Sequence, residues 1–165
     1  MNLDEFNVAP AEAAAAQLLT ACGSRRWAET LAANRPYASP EALIRDAEDL
    51  WFALDEPDWL EAFACHPRIG EKKAPTTDYL AHSESEQALA QQSLDNVAEA
   101  LLAGNRAYEA RFGFLYIVFA SGRTAPELLA VLQSRLANSR EAELQEGTRQ
   151  QLRITNLRLR KWLNV

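Results

Sequence analysis

Apolar residues recur along this chain at three- and four-residue intervals, the spacing of helices, rather than at the alternating positions of strands. Trp27 and Leu31 stand one helical turn apart. Good helix formers fill the periodic segments, and glycine and proline fall mostly between them. We therefore predict an all-α, single-domain helical bundle of about seven to nine helices that occupies residues 1–165. The longer predicted stripes contain Ala42, Leu43, Ala47, Leu50 and Trp51; Leu94, Val97, Leu101, Asn105, Tyr108 and Phe112; and Leu152, Ile154, Leu157, Leu159 and Trp162.

Capping residues and prolines indicate where the predicted helices begin, because small polar side chains satisfy free N–H groups and proline fits the first turn. The pattern Ser83-x-x-Glu86 is a capping box and predicts the start of a long helix. Asn105 falls on the apolar stripe of that helix, so we expect its amide to be buried and hydrogen-bonded. The other predicted starts are Pro10 as a first helical residue, Ser24 and Ser39 as caps, Asp58, Pro126 and residue 139.

Two segments depart from the helical pattern. Residues 67–82 contain two prolines, a glycine and paired threonines, and we interpret them as a long loop of the kind that is often functional. The apolar run 114–120 has the composition of a strand but no second strand with which to pair. We therefore interpret this run as a buried helix or an irregular segment at the centre of the fold.

Composition narrows the classes of function. The net charge of −6 and pI of about 5.0 disfavour general binding to nucleic acid, since a negative protein repels phosphates. No apolar run approaches the roughly 18 residues of a membrane span, and residues 1–5 lack the features of a secretion signal. The two cysteines, Cys22 and Cys65, have no CxxC spacing, which favours a reducing, cytoplasmic location.

His66 is the first candidate for chemistry, because an imidazole can give and take a proton near neutral pH. A general acid or base needs a partner that holds its ring, and Glu86 at the start of the long helix is of the right type. Gln87 and the free N–H groups of that helix start could bind a carboxylate or carbonyl oxygen. Structural roles remain open for both: His66 as a residue at a helix end, and Glu86 as half of the capping box.

Other kinds of site find less support. The chain has no HExxH motif or cysteine cluster for zinc, and no glycine pattern for a nucleotide. Adjacent residues rarely face each other, which disfavours Cys65 and His66 as a nucleophile and its base. Four arginines could each bind a carboxylate or form a structural ion pair: Arg68, Arg111, Arg123 and Arg158.

Several motifs in order make the chain resemble a known family. They are His66-Pro67-Arg68-Ile69-Gly70, Ser83-x-x-Glu86-Gln87, Asn105-x-x-Tyr108-x-x-Arg111-Phe112-Gly113-Phe114 and Ala120-Ser121-Gly122-Arg123, with Ser24-Arg25-Arg26-Trp27 and Arg35-Pro36-Tyr37 upstream. Together they resemble the OHCU decarboxylases, which act on 2-oxo-4-hydroxy-4-carboxy-5-ureidoimidazoline in urate breakdown. The resemblance covers nearly the whole chain and implies an all-α homodimer that converts OHCU to S-allantoin without a cofactor or metal.

The resemblance also implies roles for individual residues. His66 would be catalytic, with Glu86 and Arg158 contacting the substrate or assisting catalysis. The implied substrate-binding positions are Pro67, Ser83, Glu84, Ser85, Glu86, Gln87, Val118, Phe119, Ala120, Ser121 and Gly122. Two further hypotheses stay open, namely a non-enzymatic helical interaction module and a different small-acid lyase or hydrolase built on the same site.

Overall fold

The computed structural model describes residues 1–70 and 84–165, and the side chains of residues 84–93 are outside the description. Within these ranges the chain forms eight α-helices and no strand, which confirms the all-α class and the predicted number of helices. None of these described helices is long and apolar enough to cross a membrane. The helices are α1 (Leu3–Val8), α2 (Ala11–Leu19), α3 (Arg25–Ala33), α4 (Pro40–Ala53), α5 (Glu56–Ala64), α6 (Glu84–Phe112), α7 (Ala125–Arg135) and α8 (Arg140–Leu163).

The chain divides into two compact units. Unit 1 contains residues 1–65 and 145–165, and unit 2 contains residues 66–144, so that the second boundary falls inside α8. In unit 1, α3 packs on α2, α4 and α5. In unit 2, α6 packs on α7.

Two buried tryptophans form the centre of unit 1. The indole N–H of Trp27 donates to the carbonyl of Ala47, and that of Trp51 donates to the carbonyl of Thr148, each over 3.0 Å. A buried indole contributes a large apolar area but needs a partner for its one polar atom. Both rings can therefore be fully buried without an unpaired donor.

Two helices, α3 and α4, begin after the serine caps that the sequence predicts. The hydroxyl of Ser24 accepts from the backbone N–H of Trp27, and that of Ser39 accepts from Ala42, as expected for N-caps. Four predicted starts are wrong by one or two residues: Pro10 precedes the first helical residue, α5 begins at Glu56 rather than Asp58, α7 begins at Ala125 before Pro126, and α8 begins at Arg140 rather than residue 139. Helix α1 has six residues, too few for a periodic stripe, and the sequence reading missed it.

The buried faces of the two longest helices differ from the predicted stripes. Of the five apolar residues predicted for α8, only Leu159 is buried, and Leu157 is 48% exposed. The buried face of α8 is instead largely polar and contains Glu143, Leu144, Thr148, Gln151, Thr155 and Leu159. On α6 the prediction is correct from Leu101 to Phe112, but Leu94 is 39% exposed.

The apolar run after α6 is irregular and buried, the second of the two alternatives that its sequence allowed. Helix α6 ends at Phe112, and Gly113 adopts a φ of +78°, a left-handed conformation that glycine accepts without strain. Residues 115–120 then form neither helix nor strand. Tyr116, Ile117 and Val118 are nonetheless buried, at 2–4% exposure.

Candidate active site

The candidate catalytic histidine lies at the beginning of a short segment, His66–Gly70, in unit 2. His66 is half-buried. In the sequence it directly follows Cys65, which is the C-cap residue of α5. Two side chains of α6 bind this segment, Asn105 at Ile69 and Glu109 at Arg68. The C-terminal half of α6 is therefore the support on which the histidine segment rests.

The amide of Asn105 forms the buried contact. Its Nδ2 donates to the carbonyl oxygen of Ile69 over 2.8 Å and to that of Leu101 over 2.9 Å. Asn105 is 1% exposed, so the prediction of a buried, hydrogen-bonded amide is confirmed. Its own Oδ1 is buried as well, and no partner for it is found among the residues that the structure describes.

Arg68 forms the second contact, which is an ion pair. Its Nε and Nη2 donate to the two carboxylate oxygens of Glu109 over 2.8 and 2.9 Å, the bidentate geometry that guanidinium and carboxylate groups favour. With Leu102 and Arg106 the pair lines a groove of about 410 Å³. Of the two roles that the sequence left open for Arg68, the structure places it in the structural ion pair.

Gly70 closes the segment against the same helix. Its φ of +93° lies in the left-handed region that other residues rarely adopt. A Cβ atom at this position would also stand 3.3 Å from the Cβ of Leu101, tighter than an ordinary contact. The glycine of the His-Pro-Arg-Ile-Gly motif thus allows the backbone to turn and to approach α6 closely.

The second candidate segment is Val118–Gly122, also in unit 2, whose backbone is expected to bind substrate. Val118 is buried, Phe119 and Ala120 are half-buried, and Ser121 and Gly122 are exposed. The N–H of Arg123 donates to the carbonyl of Ala120 over 3.1 Å and closes a turn. The segment therefore passes from the core to the surface and exposes its turn to solvent.

A buried ion pair fixes the entry to this segment. Arg135, at the end of α7, donates through Nη1 to the carbonyl of Ile117 over 2.7 Å. Its Nε and Nη2 bind Glu143 of α8 over 2.9 and 2.8 Å. Glu143 also accepts from the hydroxyl of Tyr108 and, over 2.8 Å, from the amide of Asn138. These donors offset the free-energy cost of removing the Glu143 carboxylate from water.

The charges of this cluster change the titration of its members. Burial alone would lower the pKa of Arg135, but the hydrogen bond and charge of Glu143 raise it above its usual value. Burial, followed by the hydrogen bond to Glu143, raises the pKa of Tyr108. Burial raises the pKa of Tyr116 to about 12. Arg135 consequently remains a cation and both phenols remain neutral across the physiological pH range.

The other predicted site residues are only partly placed. Glu84, Ser85, Glu86 and Gln87 form the first turn of α6, as the capping box predicts, but their side chains are outside the description. Ser83 lies outside the described residues altogether. Arg158 belongs to unit 1, is exposed, and donates through Nη1 to the carbonyl of Ala21 over 3.1 Å. The pairing of His66 with Glu86 therefore stays a prediction.

The thiols and acids of the described residues form no further site. No group of three or more His, Cys, Asp or Glu side chains suited to a metal ion occurs within the described ranges. Both cysteines are free: Cys65 is exposed, whereas Cys22 is buried, and this burial raises its pKa to about 11. A thiol with a raised pKa is a poor nucleophile at neutral pH.

Three residues that support the candidate segments were missed from the sequence: Glu109, Arg135 and Glu143. Glu109 had a usable signal, since it stands four residues after Asn105 and so shares its helix face. Arg135 and Glu143 had none, because a charged residue near the end of one helix and another near the start of the next are usually solvated.

A family model and two related proteins of known function match this chain. A family model described as OHCU decarboxylase matches residues 7–160. The uric acid degradation bifunctional protein TTL of Arabidopsis thaliana is 39% identical over 144 residues, which cover 85% of this chain and 44% of that protein. The 2-oxo-4-hydroxy-4-carboxy-5-ureidoimidazoline decarboxylase of Xenopus laevis is 28% identical, covering 76% of this chain and 73% of that protein.

Solved structures agree with these sequence matches. The crystal structure of an OHCU decarboxylase in the presence of (S)-allantoin superposes with a TM-score of 0.73 at 30% identity, covering 95% of this chain and all of that one. The crystal structure of an (S)-allantoin synthase, at 19% identity and a TM-score of 0.71, shares the fold. The chain spans less than half the length of the bifunctional relatives from Arabidopsis thaliana and Bacillus subtilis.

Proposed function

From the premise that this chain belongs to the OHCU decarboxylase family, we propose that it decarboxylates OHCU to S-allantoin in urate breakdown. The observation that carries the proposal is the match to an OHCU decarboxylase structure over the full length of that chain, at 30% identity. The family model matches residues 7–160, which include the His66–Gly70 and Val118–Gly122 segments of unit 2. Asn105 of α6 binds the first segment at Ile69, and Arg135 of α7 binds Ile117, the residue before the second segment.

The substrate supplies its own electron sink in this reaction. When the bond to the carboxylate breaks, carbon dioxide leaves and the electron pair moves toward the adjacent C=N bond of the ring. The nitrogen of that bond takes up a proton, the neighbouring hydroxyl loses its proton as a carbonyl forms, and the carbon of the former C=N bond gains a proton on a single face to give the S product. The protein has to orient the carboxylate and move protons, and neither task requires an external cofactor.

The residues present suit these tasks. His66 acts as the proton-transferring group, with Glu86 as its partner and Arg158 as a residue that contacts the substrate or assists catalysis. Pro67, the Ser83–Gln87 segment and the backbone of Val118–Gly122 bind the ring and its ureido group. Proton transfer by a positioned side chain contributes about 10²–10⁴-fold, and preorganised hydrogen bonds contribute the rest.

Family membership also supports proposals for the domain organisation, the oligomeric state and the location of the protein. We propose that residues 1–165 act as a single decarboxylase domain, since one family model extends over residues of both units. We also propose a homodimer in the cytoplasm. Two thiols that stay free, one of them exposed, are consistent with a reducing compartment.

The test is the optical activity of the product. OHCU is generated freshly from urate by way of 5-hydroxyisourate, and allantoin formation is followed by circular dichroism. We expect S-allantoin to form much faster than spontaneous decay, and the rate to rise in proportion to protein concentration. Decay that is unchanged by the protein would contradict the proposal and would favour an interaction module or a different enzyme.

Two variants assign the chemistry. His66→Ala should nearly abolish turnover while its circular dichroism and unfolding midpoint stay close to those of the wild type. Cys65→Ser changes the neighbouring residue, whose exposed thiol is the nucleophile that a hydrolase on this site would use. It should retain full activity. Near-wild-type turnover of His66→Ala, or loss of turnover in Cys65→Ser, would refute the assignment.

A further inference from the structure

We infer that Asn105 and Glu109 of α6 are positioning residues for His66, and that Arg68 acts through Glu109 rather than on the substrate. The inference rests on the proposed function and adds residues to it. Asn105 holds the carbonyl of Ile69, and Glu109 holds the guanidinium of Arg68, so two consecutive residues of the His66–Gly70 segment are tied to one helix.

The spacing of the two supporting residues explains how they act together. Asn105 and Glu109 lie four residues apart, which places them one turn apart on the same face of α6. The segment runs along this face, with its backbone bound at Ile69 and its side chain bound at Arg68. One hydrogen bond alone would let the segment pivot, whereas two attachments a turn apart define its direction.

Gly70 adds a third constraint from packing. Its close approach to Leu101, four residues before Asn105, sets the distance between the segment and α6. Contacts at Leu101, Asn105 and Glu109 thus cover two turns of one helix face. His66 stands only two residues before Arg68. Restricting the backbone at Arg68 and Ile69 therefore also restricts the positions that the His66 imidazole can adopt.

The burial of the two contacts indicates their separate roles. The Asn105 amide is almost fully buried, so the hydrogen bond to Ile69 is protected from water. The side chains of Arg68 and Glu109 are 45% and 25% exposed. An exposed ion pair contributes little to stability, about 0–1 kcal/mol, so loss of Glu109 will leave the protein folded while it releases Arg68.

The geometry also argues against the alternative that Arg68 binds the substrate carboxylate. A guanidinium that binds substrate carboxylate in bidentate fashion presents its Nε and one Nη to that group. In Arg68 these two nitrogens bind Glu109. Arg68 therefore contributes to the site by fixing the backbone beside His66.

The first measurement is steady-state kinetics of Glu109→Gln in the decarboxylation assay. We expect kcat to fall on the order of 10-fold to 100-fold with KM within about twofold, since a displacement near 1 Å has this effect on a reacting group. The matched control is Glu99→Gln, which makes the same charge change at an exposed position on the same helix. It should behave like the wild type.

An exchange of partners separates positioning from direct binding. Arg68→Gln should lower kcat as Glu109→Gln does, and the double variant Arg68→Glu with Glu109→Arg should recover much of the loss by re-forming the pair. If Arg68 bound the substrate, Arg68→Gln would instead raise KM, and the exchange would not rescue turnover. That result would overturn the inference.

Asn105→Ala tests the buried contact against a matched loss of packing. It should lower kcat by at least the same factor as Glu109→Gln. Leu132→Ala removes packing from the neighbouring part of α6, where a Cβ on Gly104 would lie 2.5 Å from Leu132. It should destabilise the protein yet keep kcat near the wild-type value. Equal losses of kcat in both variants would mean that only stability was changed.

The ring signals of His66 make the outcome independent of turnover. The chain has two histidines, so a His82→Gln variant identifies the His66 imidazole resonances by NMR. Glu109→Gln and Asn105→Ala should shift or broaden them, and Glu99→Gln should not. Unchanged resonances would overturn the inference even if the wild type is active. A wild type without decarboxylase activity would overturn the proposed function, and the resonances would still decide whether α6 positions the ring.

Discussion

Removing the carboxylate of Glu143 is expected to be the most damaging single change in unit 2. Glu143 is fully buried and accepts from Arg135, Tyr108 and Asn138. Glu143→Leu removes every one of these bonds and leaves the Arg135 cation in the core without its counter-charge. Breaking a buried pair by removing one partner costs about 3–5 kcal/mol.

The magnitude is measurable because domains of this kind have about 5–15 kcal/mol of stability in total. At roughly 2–4 °C per kcal/mol, the midpoint of thermal unfolding should fall by about 6–20 °C. Urea unfolding followed by tryptophan fluorescence gives the free energy directly. The control is Glu99→Leu, the same substitution at an exposed position of α6 in the same unit. Its effect should stay within about 0.5 kcal/mol.

A double variant tests the cause of the loss. Arg135→Met added to Glu143→Leu removes the stranded cation, so the double variant should unfold at higher urea concentration than Glu143→Leu alone. The reasoning fails if Glu143→Leu costs less than about 1 kcal/mol, or if the two single losses simply add. Either result would mean that the cation is not isolated in the core when its partner is removed.

Three further predictions concern unit 1, the thiols and alkaline pH. Gly147→Ala should destabilise by about 1–3 kcal/mol in urea unfolding despite the better helix propensity of alanine, because a Cβ there would lie 2.9 Å from the ring of the buried Phe63. One thiol per chain should react quickly with a disulfide reagent at pH 8, and mass mapping should find it at Cys65; equal rates for both thiols would contradict the burial of Cys22. The pKa of Tyr116 is raised by burial to about 12, above the value near 10 of the unfolded chain, so its contribution to stability is complete below pH 10 and is lost as the pH rises through 12. Urea unfolding should show a shallower loss between these values in Tyr116→Phe than in the wild type.

Local chemistry explains which parts of the fold could be predicted. A serine cap depends only on residues two or three positions away, and Ser24 and Ser39 act as predicted. Helix α8 shows the opposite case. Its buried face carries Thr148 and Gln151, which the apolar pattern assigns to solvent. Thr148 lies beside the buried Trp51, which is far away in the sequence and whose indole N–H donates to the carbonyl of Thr148.

The candidate site shows the same division. The motif around His66 and the buried amide of Asn105 were visible in the sequence, since an asparagine on an apolar stripe needs partners. The partner itself, the carbonyl of Ile69, was not visible, because backbone carbonyls are present at every position. The contact between the buried Arg135 and the carbonyl of Ile117 could not be predicted either, because it forms only when α7 packs beside the run that follows α6.

The buried oxygen of Asn105, which has no hydrogen-bond partner among the described residues, has a consequence for attempts to redesign this protein. A buried acceptor without a donor costs on the order of 1–3 kcal/mol, so any procedure that ranks substitutions by stability will select this position for improvement. A leucine there would remove the penalty and also the N–H group that Ile69 uses. We expect the resulting protein to unfold at a higher temperature, while its His66–Gly70 segment is no longer held in place by α6. Thermostable libraries of this chain should therefore keep position 105 fixed.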